Sequence, residues 1–186
     1  MITAAAPDIL YPLSRFCREN GRALPAFETI TGSEMPEPYR TLLVHQGDMT
    51  SRLETHFDSS LRLRVLHREA TPTAYRREVL LCTEDSAMPV EYGAIEINLA
   101  AFPEGVRAAI LEARQPLGGL LNQHRITYRS EPRAFLRLAP DQEMNALFGT
   151  DPAGELYGRS NVLLGVNDQM LARIVEVLRP LGNGGA

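Results

Sequence analysis

The spacing of hydrophobic residues first separates helical from strand-like parts of the chain. Leu10, Leu13 and Phe16 recur at three-residue steps and predict a helix that ends near Gly21. Asp48 stands where an N-cap is expected, between two short helices. The further predicted helices cover about residues 39–57 as that pair, 103–113, 116–122, and one or two turns within 141–151.

From residue 61 onward, apolar residues alternate with polar ones in several short runs, as they do in half-buried strands. Asn167 and Asp168 separate the last two runs and predict a hairpin turn. The predicted strands cover residues 61–66, 75–83, 90–99, 125–129, 133–138, 161–166 and 170–178. The pattern therefore predicts an α+β fold, with a single antiparallel sheet and helices over one side.

Length and composition predict one domain spanning residues 1–186. The chain is 44% hydrophobic and has 19 basic and 23 acidic residues, for a net charge of −4. A chain of this size can bury a sizeable core without disulfides or structural metals. No run of eighteen apolar residues is present, and the N-terminal residues lack the pattern of a signal peptide. We therefore expect a cytoplasmic protein, monomeric or dimeric, with no membrane span.

All 19 basic residues are arginines, which disfavours mechanisms that need a lysine amine, such as Schiff-base chemistry. Cys17 and Cys82 are far apart in sequence, and the four histidines form no metal-binding spacing, so we expect no metal and no cofactor. Arg62, Arg64 and Arg68 follow one predicted strand. With a negative net charge and no interleaved aromatics, they indicate a solvated face, and no nucleic-acid partner is expected.

Two charged residues occupy predicted strand faces that are otherwise apolar. Arg77 shares a face with Tyr75 and Val79, and Glu176 shares one with Ile174. A buried charge needs a partner, so the two could form a structural ion pair. Alternatively, Arg77 could hold a ligand carboxylate in a half-apolar pocket, where burial would raise the pKa of Glu176 until it could donate a proton. The sequence alone leaves both interpretations open.

Five motifs in order resemble those of the chorismate pyruvate-lyase family, which converts chorismate to 4-hydroxybenzoate and pyruvate. The likeness spans about residues 39–180 and leaves residues 1–38 unmatched. The motifs are GDMTSRLE at 47–54, YRREVLLC at 75–82, QPLGGLL at 115–121, GRSNVLL at 158–164 and IVEVLRP at 174–180.

The resemblance implies a single domain whose helical flaps close over an internal site for an aromatic acid. It implies that Arg77 binds the ring carboxylate and that Glu176 lies by the ring hydroxyl and assists the departure of pyruvate. Met49 and Leu117 would line the pocket. The expected function is therefore a cofactor-independent lyase of ubiquinone biosynthesis that acts on chorismate.

The sequence departs from the family pattern at Ala94, where the matching register calls for a second arginine that faces the pyruvyl carboxylate. Arg129 or Arg159 could supply that charge from another direction. A register error of one or two residues is the other explanation.

Two alternatives accompany the lyase hypothesis. The same fold could serve as a non-catalytic binding module for a small aromatic or cyclic carboxylic acid, as in the related effector-binding domains of bacterial transcription regulators. It could also act as a lyase on a related enolpyruvyl compound. The first forty residues are too short and too weakly basic to predict a DNA-recognition domain.

Overall fold

Seven antiparallel strands form a single sheet in the computed structural model, which describes residues 8–139, 141–150 and 154–182. The spatial order of the strands is β1-β5-β6-β7-β4-β3-β2. The pairing of β7 with β4 joins the strands β1, β5, β6 and β7 to the strands β4, β3 and β2. The strands are β1 (Phe27–Ile30), β2 (Leu61–Ala70), β3 (Ala74–Thr83), β4 (Pro89–Asn98), β5 (Arg129–Leu138), β6 (Leu156–Leu164) and β7 (Met170–Leu178).

Six short α-helices accompany the sheet in the part of the chain that the structure describes. The predicted N-cap is confirmed, because the Asp48 side chain accepts a hydrogen bond from the backbone N–H of Ser51. Asp141 caps the last helix in the same way, through the N–H of Met144. The helices are α1 (Leu13–Glu19), α2 (Tyr39–Leu43), α3 (Met49–Phe57), α4 (Glu104–Glu112), α5 (Leu117–Gln123) and α6 (Gln142–Phe148). Residue 151, the last of the final predicted helical stretch, lies outside the described residues.

Strand alternation divides the buried residues between the two faces of the sheet. On one face, Leu80 and Tyr92 belong to a core closed by α1 and α6. On the other face, Leu81 and Ile95 belong to the cores formed with the flap helices α2 to α5. The predicted α+β class with a single antiparallel sheet is confirmed. Helices α1 and α6 pack on the face opposite the flap helices. The hydrophobic pattern predicted helices over one side and did not indicate this additional layer.

The strand boundaries differ from the predictions in several places. β2 continues to Ala70, past the predicted end at residue 66, and β6 begins at Leu156, before the predicted start at residue 161. β1 was not predicted because its residues are mostly exposed and do not alternate. The two strands predicted within 125–138 are one strand, β5, which begins at Arg129. Its register shifts between Pro132 and Ala134, because proline has no N–H to donate to the ladder. Arg125 has a positive φ of 54° and stands in the turn before the strand.

Among the described residues, none of the helices combines the length and the hydrophobicity needed to cross a bilayer.

Candidate functional site

A cavity of about 600 Å³, including its open mouth, lies between the flap helices and the sheet. Its floor comes from β3, β4, β6 and β7, and is largely apolar, with Val79 and Ile95 among the lining residues. Met49, at the start of α3, and Leu117, at the start of α5, line the opposite wall.

Arg77 projects from β3 into this cavity and is 3% exposed. Its Nη2 donates to the carbonyl oxygen of Gln115 at 3.4 Å, and its Nε has no hydrogen-bond partner within the described part of the chain. The guanidinium carbon also lies 5.9 Å from the centroid of the Tyr75 ring. Burial lowers the pKa of Arg77 from its ordinary value. The side chain is thus a desolvated cation with free donors that face the cavity.

Glu176 is paired with Arg159 and not with Arg77. The two residues stand opposite each other on β7 and β6, and Arg159 Nε donates to Glu176 Oε2. Arg77 stands opposite Ile95, whereas Glu176 stands opposite Gly93, so the sheet register offsets the two predicted partners. The predicted ion pair between Arg77 and Glu176 is therefore wrong.

Arg159 also connects the sheet to the flap. Its Nη1 donates to the carbonyl oxygens of Leu43, the last residue of α2, and of His45, between α2 and α3, both at 3.2 Å. It is 1% exposed, so these bonds form in a water-poor environment. Glu176 is the counter-ion of this arginine, so the ion pair supports the connection between the sheet and the flap.

Glu91 is a further cavity residue, and the sequence reasoning missed it. It projects from β4 beside Gly93 and is 5% exposed, and its Oε2 has no hydrogen-bond partner among the described residues. Burial raises its pKa well above the ordinary value; the nearby Glu176 raises it further, and Arg159 partly offsets both. The signal was present in the sequence, because alternation places Glu91 on the same face as Gly93 and Ile95.

Gly93 keeps the floor open between the charged groups. A Cβ at this position would lie 3.3 Å from Val79 Cγ2 and 3.5 Å from Glu91 Oε1. Any larger side chain would fill the space over the middle of β4. Gly93 therefore leaves a low apolar floor between the two polar ends of the cavity, at Arg77 and at Glu91.

The remaining predicted site residues divide between the cavity and other locations. Met49, Leu117 and Arg159 line the cavity. Arg129 does not: it is exposed and pairs with Asp168 at 2.6 Å and with Glu131 at 3.4 Å. The expectation that Arg129 could balance a second ligand carboxylate is therefore wrong, because the residue lies outside the cavity lining.

Ala94 is buried in the core on the opposite face of the sheet, against α1 and α6. A side chain at position 94 cannot face the cavity, because adjacent strand residues point to opposite faces. The register used to place the missing arginine was therefore displaced, and Gly93 and Ile95 are the neighbouring positions that face the cavity.

Within residues 8–139, 141–150 and 154–182, no group of three His, Cys, Asp or Glu side chains is arranged to hold a metal ion. Besides the charged groups, the cavity is lined by Ser130 and Asn161, whose side chains bond to each other. The site thus presents fixed charges and hydrogen-bonding groups in an apolar enclosure, which is the arrangement of a small-molecule site.

Comparisons with known proteins support the fold and not a particular family. No family model matches the chain, and no curated protein matches it. Among solved structures, PhnF from Mycobacterium smegmatis superposes with a TM-score of 0.56 at 15% identity, covering 73% of this chain and 65% of PhnF. The isolated effector domain of PhnF gives the same TM-score and identity, covering 72% of this chain and 88% of that domain.

A third solved structure is the ligand-binding domain of a Bordetella bronchiseptica protein assigned to the GntR family of transcriptional regulators. It has a TM-score of 0.50 and 17% identity, covering 66% of this chain and 86% of that domain. At such identities the likeness establishes a shared fold. This chain thus shares the fold of these effector and ligand-binding domains. The same α+β fold was expected from the resemblance to the chorismate lyases.

The expectation of a chorismate lyase of ubiquinone biosynthesis is wrong. The structures that share this chain's fold include the effector domain of PhnF and the ligand-binding domain of a GntR-family transcriptional regulator. The geometry of the site agrees with this correction, because Glu176, the residue predicted to act as the acid, is hydrogen-bonded to Arg159. The resemblance to the lyases holds at the level of the fold and not at the level of the reaction.

Proposed function

We propose that this domain binds a small carboxylic acid, aromatic or cyclic, in the flap-covered cavity and leaves it chemically unchanged. The observation that carries the proposal is the state of Arg77. Its guanidinium is buried in an apolar enclosure with one long hydrogen bond and an unpaired Nε. A buried charge without a counter-ion is costly, and a ligand carboxylate would remove that cost through a two-pronged hydrogen bond.

The surroundings of Arg77 favour a flat or ring-shaped ligand. Val79 and Ile95 supply apolar surface beside the guanidinium, and Leu117 faces them from the start of α5. Apolar walls on two sides would hold a ring by burial of its faces, while the arginine would fix its orientation. The fold that this chain shares with effector domains supports a binding role, and we extend that role to this chain as part of the proposal.

The experiment is a calorimetric titration of the protein with benzoate, 4-hydroxybenzoate and cyclohexanecarboxylate. Substitution of Arg77 by Met keeps much of the side-chain length but removes the charge. We expect Arg77→Met to weaken binding of the carboxylates at least about 10-fold, because hydrogen bonds to charged groups contribute about 1.5–3 kcal/mol. The bound acid should be recovered unchanged from the complex.

Arg129→Met is the matched control, since it removes an arginine that is exposed and distant from the cavity lining. It should leave the affinity unchanged. The proposal is overturned if none of the three acids binds the wild-type protein at millimolar concentration, or if Arg77→Met binds them as well as the wild type does.

A further inference from the structure

The cavity has a second polar end, at Glu91, which a simple carboxylic acid would leave without a partner. Glu91 is more than nine-tenths buried, it lines the cavity, and within the described chain its Oε2 has no hydrogen-bond partner. Native proteins satisfy most of their buried polar atoms, and an unsatisfied carboxyl oxygen on a residue that lines a cavity can accept a hydrogen bond from a ligand.

The charged groups around Glu91 identify what is missing. Glu176 on β7 and Asp48 at the start of α3 raise the pKa of Glu91, whereas Arg159 on β6 lowers it. From β3 the opposing residue is apolar, since Leu81 stands opposite Glu91 in the sheet. His45, in contact with Arg159, is uncharged at neutral pH, because burial and Arg159 lower its pKa to about 4.

Two carboxyl groups, Glu91 and Glu176, therefore share one arginine at this end. Arg159 is directly bonded to Glu176, which leaves Glu91 without a cation of its own. Two carboxyl groups that share one buried cation leave a negative charge uncompensated when both are ionised. A ligand that carries a positive charge could compensate for it.

We infer that the ligand of this cavity is a zwitterion, with a carboxylate held by Arg77 and an ammonium group held by Glu91. The inference rests on the proposed function, because it takes the carboxylate site at Arg77 as given. With Glu91 ionised, the ligand carboxylate would face Arg77 and the ligand ammonium would face Glu91, since Arg159 is bonded to Glu176. Asp48 is a further carboxyl group that lines the cavity near Glu91.

The separation of the two ends sets the class of ligand. Arg77 stands opposite Ile95, four residues along β4 from Glu91, which corresponds to about 13 Å between backbone positions. Both residues line the cavity, with Glu91 Oε1 beside Gly93 and the Arg77 guanidinium beside Gln115 and Tyr75. The amine and the carboxylate must therefore lie at opposite ends of the molecule, across a single ring or a short chain. An α-amino acid, with both groups on one carbon, cannot reach both ends.

Three para-substituted benzene derivatives that differ in their charged groups test the inference. At pH 7, 4-(aminomethyl)benzoate carries both charges, 4-methylbenzoate lacks the amine, and 4-methylbenzylamine lacks the carboxylate. We expect 4-(aminomethyl)benzoate to bind the wild-type protein at least about 10-fold more tightly than either single-charge compound, as a charge-assisted hydrogen bond would provide.

Glu91→Gln should abolish this preference and leave the affinity for 4-methylbenzoate within about 2-fold of the wild-type value. Binding of 4-(aminomethyl)benzoate should also release protons from Glu91, measured as a dependence of the calorimetric enthalpy on the ionisation enthalpy of the buffer. That dependence should be absent in Glu91→Gln. Glu91→Met provides a second variant of similar size, in case the amide finds new hydrogen bonds.

The outcomes separate this inference from the proposed function. If 4-methylbenzoate binds through Arg77 as well as 4-(aminomethyl)benzoate does, the zwitterion is excluded and the carboxylate site stands. If the amine improves binding equally in wild type, Glu91→Gln and Glu91→Met, Glu91 is not its partner and the inference fails. If neither benzoate binds the wild-type protein, the carboxylate site itself is disproved.

Discussion

Glu78 and Glu91 are both buried on the paired strands β3 and β4, but they lie on opposite faces of the sheet and differ in their partners. Glu78 Oε1 accepts hydrogen bonds from Arg22 and from the hydroxyl of Tyr92, and its Oε2 lies 3.3 Å from His67 Nδ1. Oε2 lacks a hydrogen-bond partner in both glutamates among the described residues, and the difference lies in the cation, which pairs with Glu78 and not with Glu91. The two faces therefore differ in whether they supply a cation to a buried glutamate.

The difference follows from what covers each face. Arg22 comes from the segment after α1 and also pairs with Glu143 of α6 at 2.6 Å, so the elements that close this face bring the cation with them. The flap helices close the other face without supplying a cation to Glu91. A buried charge with its partners built in maintains the fold, whereas one without them is available to a ligand.

The largest effect is expected from removing the glutamate that has partners. Glu78→Ala leaves the guanidinium of Arg22 and the hydroxyl of Tyr92 without their acceptor. We expect a loss of about 3 kcal/mol in the free energy of unfolding, measured by urea denaturation, because breaking one side of a buried ion pair costs about 3–5 kcal/mol.

Glu143→Ala is the control for Glu78→Ala, since it removes the exposed partner of the same arginine and should cost less than about 1 kcal/mol. A loss from Glu78→Ala no larger than that from Glu143→Ala would contradict the contrast between the two faces.

A smaller effect, of opposite sign, is expected at the glutamate without partners. The folded-state pKa of Glu91 is raised, so the folded protein holds a proton that the unfolded chain releases near its ordinary pKa of 4.5. Stability from this group is therefore present at low pH and is lost as pH rises above about 4.5 toward the folded-state pKa. Glu91→Gln, which cannot ionise, should be more stable than wild type at pH 7, by an amount on the order of 1 kcal/mol.

Urea denaturation of both proteins from pH 4.5 to 8 tests this expectation. The difference in unfolding free energy between Glu91→Gln and wild type should grow with pH across that range. A constant difference would mean that Glu91 titrates equally in the folded and unfolded states, and that its burial has no electrostatic cost.

The sequence was sufficient for the strands whose hydrophobic alternation is strong, and for Arg77 on an inward face. It did not identify the partner of Glu176, because a pairing between β6 and β7 depends on register, and register is not visible in a single strand. Glu91 was within reach of the same alternation argument that identified Arg77. The resemblance to lyases drew attention to position 94, whose side chain faces the other core.

The smallest effect is expected at His45, the histidine on the cavity face of the sheet. His45 lies beside Arg159, whereas His67 lies beside Glu78. Burial, followed by the charges of Arg159 and Arg52, lowers the pKa of His45 from 6.5 to about 4. The unfolded chain therefore binds a proton that the folded protein refuses between these values, and stability from His45 is lost as pH falls from about 6.5 to about 4.

This slope is opposite in sign to that of Glu91, so the two variants should move the pH of maximum stability in opposite directions. His45→Gln should remove up to about 1 kcal/mol of the loss on acidification, a limit set by the partial exposure of the ring. The histidine ring resonances in NMR spectra, assigned by their absence in His45→Gln, report the pKa directly. A His45 pKa at or above 6.5 would mean that the ring leaves the neighbourhood of Arg159 in solution, and that the flap connection through the His45 carbonyl is open.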